Sequence, residues 1–146
     1  MDMLRALFIF VHVIGSALGV GGVTANVVLW TKARFDKELA PAILKIVELI
    51  GKLIFLGLIL LTLSGIGFLY LGFPLARLTV KLSLVAALWV ESPLVHYLTS
   101  RVAKLAPKPG QPPSPEFLSI KRKTQVVGTI GVILWYTTTA IGATLT

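Results

Sequence analysis

The residues with chemistry to offer are two imidazoles, two carboxylates and a few lysines set inside otherwise apolar sequence. His12 stands in LRALFIFVHVIGSALGVGGVTANVVLW, beside Ser16 and a glycine-rich stripe of Gly15, Gly19, Gly21 and Gly22. Neutral imidazole is a common iron ligand, and small residues opposite leave room for a flat macrocycle or for another helix backbone. Lys81 lies in RLTVKLSLVAALW, and Glu91, Ser92, Pro93 and His96 follow on the same stretch. Lys45, Glu48 and Lys52 fall at i, i+3 and i+7, a spacing that puts them on one helical face and lets Glu48 pair with either lysine.

The elements that carry these groups are membrane spans. At 146 residues, 55% hydrophobic and mean hydropathy +0.88, the chain has more apolar surface than one soluble domain of this size can bury. Four apolar segments, about 4–30, 43–71, 78–100 and 125–146, are each long enough to cross a bilayer. The expected fold is therefore all-α: an integral membrane four-helix bundle, one domain over 1–146. The formal charge of +8 is concentrated in the connections, which is membrane topology rather than a nucleic-acid surface. Lys32, Arg34 and Lys37 sit in the first connection, and Arg101, Lys104, Lys108 and Lys121 to Lys123 in the third; the second has only Arg77. Basic residues favour the cytoplasmic side, so the N- and C-termini are expected on the outer side of the cytoplasmic membrane. The run from Leu4 is too long for a signal-peptide core and is expected to be retained. The third connection, 101–124, contains the Pro-rich APKPGQPPSPE and should be extended, and Pro93 should kink the third helix and free the Trp89 carbonyl. With no cysteine there is no disulfide, thiolate ligand or iron–sulfur cluster.

Depth along each helix, at ~1.5 Å per residue, decides which groups can meet. His12 lies ~12 Å from the outer end of its span and His96 ~27 Å from the outer start of the third, so the two cannot ligate one heme together. Near the depth of His12 come Ser64, Gly65, Lys81 and Thr137 to Thr139. Lys81 by itself should snorkel to the headgroups. Glu91, at mid-membrane, has Lys52, Ser92 and Tyr136 as partners within reach, and a carboxylate there should be paired with a cation or held protonated. Asn26, Lys45, Glu48 and His96 form a second group nearer the cytoplasm.

His12 followed by Gly21 and Gly22, with Lys81 early in the third helix, resembles the broad family of small bacterial four-helix membrane proteins. That family takes in the copper-resistance D domain and the heme-containing protoporphyrinogen oxidase of the HemJ type. The resemblance covers helices one to three, and it implies a b-type heme near the outer half of the bundle, close to His12 and Lys81.

Three roles stay open on the residues themselves. The first is a small heme-binding redox protein for electron transport, with heme b held by His12 as ligand, Lys81 as second ligand or propionate partner, and Ser16 and Gly19 beside them. The second is a non-enzymatic scaffold or accessory subunit whose glycine faces bind another membrane protein or a second copy. The third is a proton or ion pathway through Glu91 and Glu48, with Lys52, His96 and Asn26 completing an intramembrane polar network. Membrane lipid is the expected surrounding partner and nucleic acid is not expected. GVGG lacks the strand and lysine of a phosphate loop, no zinc set forms from histidines at unequal depth, and no serine–histidine–acid constellation converges.

Overall fold

The computed structural model describes residues 3–36, 38–73, 75–108 and 110–144, with all side chains among them except those of 41, 75–78, 143 and 144. Lys37, the side chain of Arg77 and the last two residues of the fourth expected span lie outside the described residues. Four helices make up the fold: α1 Met3–Phe35, α2 Ala40–Tyr70, α3 Leu75–Lys104 and α4 Pro115–Thr144. Each is long and apolar enough to cross a membrane, and no strand occurs among the described residues. The end that carries the first and third connections is called here the basic end, and the opposite one the far end.

Polar caps, rather than the limits of the apolar runs, set where the helices stop. Asp36 Oδ1 accepts the Leu39 N–H at 3.2 Å and turns the chain from α1 into α2. Gly72, at φ +81°, ends α2: the Phe73 N–H donates back to the Phe68 carbonyl, a closure that needs a residue in the left-handed region. The largest departure from expectation is α4, which begins at Pro115 and not near Gln125. Ser114 Oγ accepts the Phe117 N–H at 3.1 Å and proline takes the first helical position, where its missing N–H costs nothing. The connection expected over 101–124 is thereby reduced to 105–114, and Lys121, Arg122 and Lys123 ride on the helix rather than ahead of it. Arg101 and Glu116, 2.8 Å apart, tie the two sides of this connection together.

The chain packs as two antiparallel hairpins, α1 with α2 and α3 with α4; α2–α3 and α1–α4 contacts are sparser. Among the described residues the backbones of α1 and α3 do not approach each other, and the Lys81 side chain reaches from α3 to His12 of α1. Within the first hairpin the crossing lies at Gly15 and Gly57, where a Cβ on Gly15 would stand 2.9 Å from the Gly57 carbonyl oxygen. Small residues permit this backbone contact, which is how helices gain dispersion energy when lipid is as apolar as their side chains.

Along the axis the bundle is layered. At the far end Phe8 meets Phe68 edge-on and Phe68 meets Phe73 at a tilt, with the Arg5 guanidinium 5.5 Å over the Phe73 ring. Below them comes a polar cluster around His12. Then follows a tight apolar layer of Val23, Ile54, Leu58, Leu61, Leu88 and Trp135, of which Leu58 and Leu88 have no exposure at all. Beyond it a cavity opens toward the basic end, where Ile43, Val47, Leu98 and Val102 are buried.

Candidate functional site

The polar cluster joins all four helices. Ser64 Oγ, fully buried, donates to the Leu61 carbonyl at 3.0 Å, so its lone pair takes the His12 Nδ1–H at 2.9 Å. That assignment leaves His12 Nε2 as an acceptor, and Lys81 Nζ lies 3.4 Å from it. The ring also stands edge-on to Phe68 at 5.6 Å between centroids. On α4, Gly142 makes room for the lysine: a Cβ there would fall 2.7 Å from Nζ. The snorkelling expected of Lys81 is therefore corrected. Its ammonium turns into the bundle because an imidazole acceptor and a glycine notch lie within reach of its stem.

As arranged, His12 and Lys81 leave no room for a heme iron between them as its two axial ligands. Ser64 does what a neighbour of a metal-bound imidazole does, fixing the tautomer from Nδ1. Nε2, however, faces Lys81 Nζ at 3.4 Å, and a macrocycle between two axial nitrogens, each ~2 Å from its metal, needs more separation than that. Three of the four glycines of the stripe are occupied as well, while Gly21 has nothing within 4 Å. The space beside Gly19 is filled by the Trp135 ring, that beside Gly22 by Ile54, and Gly15 lies on the backbone of α2. Ser16 is half-buried and forms no hydrogen bond among the described residues. Gly15 and Gly19 thus pack against α2 and Trp135 of this chain. No group of three or more His, Asp or Glu able to hold a metal ion occurs among the described residues.

The second constellation is the cavity, about 700 Å³, between the apolar layer and the basic end. Asn26, Glu48, Lys52, Glu91 and His96 all line it, one group drawn from three helices. Lys52 Nζ and Glu48 Oε1 are 3.7 Å apart, both well exposed, so the i, i+4 pairing open to Glu48 is the one adopted. Lys45 does not line the cavity. Glu91 is the exceptional member. Its carboxyl lies against Gly131 of α4, in space a Cβ would fill, and among the described residues it has neither an ion pair nor a hydrogen bond. Two of the three partners expected for it are engaged elsewhere, and the third, Ser92, forms no hydrogen bond with it. Lys52 holds Glu48, while Tyr136 Oη bonds Thr24 Oγ1 at 2.7 Å and so links α4 to α1. Asn26 Oδ1, on α1, is buried and likewise lacks a donor. Pro93 lies in the same wall, one turn beyond Trp89, whose indole N–H donates to Thr62 Oγ1 at 3.0 Å.

Trp135, 1% exposed, is the residue that reading the sequence passed over. It is the largest side chain of the apolar layer, the filler of the Gly19 notch and part of the cavity wall at once. The one clue was its place opposite the glycine stripe at matching depth. No protein-family model, curated protein or solved structure matches this chain.

Proposed function

We propose that the chain is a small carrier of the cytoplasmic membrane, both termini outside, that takes up a proton or a cation at Glu91 through the cavity on its cytoplasmic, basic side. The unpaired Glu91 carboxyl in the cavity wall carries this reading. Glu91 is 12 residues from Thr79, where the apolar part of α3 begins, hence ~18 Å along the helix and near mid-bilayer. An ionised carboxyl at such depth costs ~2.5–3.5 kcal/mol on insertion scales, a cost removed when a proton or ligand cation joins it. A group kept without a partner, although Lys52 lies in the same wall, is a group kept for exchange.

The His12–Lys81–Ser64 chain supports the reading from the other side. It offers a donor, a two-sided imidazole and a hydroxyl in sequence, and the apolar layer around Leu58, Leu88 and Trp135 separates it from Glu91. Passage between the two requires that layer to part, which is the behaviour of a gated carrier rather than an open pore.

The test is proton uptake into liposomes holding the purified protein, driven by an imposed membrane potential and read with an entrapped pH dye. Uptake is expected with the native protein and with Glu116→Gln, which removes a carboxylate outside the cavity wall, and is expected to vanish with Glu91→Gln. Flux in the Glu91→Gln protein equal to the native one overturns the reading.

A further inference from the structure

We propose that the ligand of the cavity is a lipophilic organic cation, a protonated amine or quaternary onium group on an apolar, drug-sized body. This deepens the reading of Glu91 as an exchange site and rests on it.

The cavity volume, about 700 Å³, is that of sites for drug-sized molecules and far more than a bare proton or metal ion needs. Its charge balance then selects the sign. The ionisable side chains in its wall are Arg34, Glu48, Lys52, Glu91 and His96. Glu48 and Lys52 neutralise each other. Arg34 is exposed on the last turn of α1, eight residues and ~12 Å beyond Asn26, and His96 is exposed as well, so both sit on the solvent side of the site. The interior charge left over is that of Glu91, and the buried polar atom in this wall without a partner is another acceptor, Asn26 Oδ1. Both ask the ligand for positive charge and N–H donors. Three aromatic rings, Trp30, Phe55 and Trp135, complete the wall. Aromatic faces attract a cation and accept an apolar body equally well, whereas an anion would meet them and an unpaired carboxyl together.

The experiment is binding of tetraphenylphosphonium to the purified protein in detergent, followed by tryptophan fluorescence, since Trp30 and Trp135 line the cavity. Tetraphenylborate, of the same shape and opposite charge, is the control. Saturable binding of the cation, weak or no binding of the anion, and competition by protons are expected. Glu91→Gln should weaken the cation by about tenfold or more, the scale for removing one partner of a buried charge contact, while Glu116→Gln, at an exposed ion pair with Arg101 outside the cavity wall, stays within about twofold. Size-exclusion profiles of the two variants separate lost binding from lost folding. Equal binding of both ions, or cation binding indifferent to Glu91→Gln in a folded protein, overturns the proposal. Glu91-dependent proton flux without tetraphenylphosphonium binding overturns this inference alone; Glu91-dependent binding without flux overturns the carrier reading alone.

Discussion

Replacing Gly15 by alanine tests the packing that holds the first hairpin together, and Gly21 supplies an internal control on the same helix. The methyl added at Gly15 would stand 2.9 Å from the Gly57 carbonyl oxygen and 3.0 Å from the Leu61 nitrogen. Ordinary contact begins at ~3.5 Å, so α1 and α2 must separate by roughly half an ångström. Both neighbours are backbone atoms and cannot rotate away. Overpacking of this kind costs ~1–3 kcal/mol, against which alanine recovers at most ~1 kcal/mol of helix propensity. At Gly21 nothing lies within 4 Å, so alanine there keeps the propensity gain and incurs no clash. The two variants should therefore differ by ~1–3 kcal/mol, Gly15→Ala the less stable. Reversible unfolding in mixed micelles of mild detergent and dodecyl sulfate, read by tryptophan fluorescence, measures the difference. Equal stability of the two, or a Gly21→Ala protein weaker than Gly15→Ala, would refute the close crossing at Gly57.

Ser64→Ala should cost ~0.6–1.7 kcal/mol in the same assay, the range for hydrogen bonds between membrane helices, because it leaves the His12 Nδ1–H without its acceptor. No loss of stability would mean that the imidazole is not held through that nitrogen. Ser114→Ala should lower stability by ~0.5–2 kcal/mol and leave proton flux intact, since it removes only the cap of α4 at the basic end; a flux defect would place α4 entry in the transport machinery.

Hydropathy was enough to give the four spans, because a run of ~20 apolar residues has few other uses. Helix limits were less legible. Ser114 and Pro115 are a start signal, yet they stand inside a proline-rich stretch whose composition argues for extended chain. Depth arithmetic placed His12, Ser64 and Lys81 at one level, and they do meet. Which way Lys81 turns was hidden, since it depends on a glycine notch 61 residues later in the chain, at Gly142. The glycine stripe of α1 gave no sign of what fills it: Trp135, Ile54 and the α2 backbone are equally apolar neighbours on paper. The isolation of Glu91 was also beyond reading, because two of its three expected partners are taken, Lys52 by Glu48 and Tyr136 by Thr24.

The chain has no cysteine, so a single Glu91→Cys substitution can be labelled without interference. A charged, membrane-impermeant thiol reagent applied to oriented vesicles asks directly whether water reaches this mid-membrane position, and from which face. Reaction from the side of the Lys121–Lys123 cluster, and none from the far side, is the result the cavity predicts. A thiol at position 91 that stays unreactive from that side would contradict it.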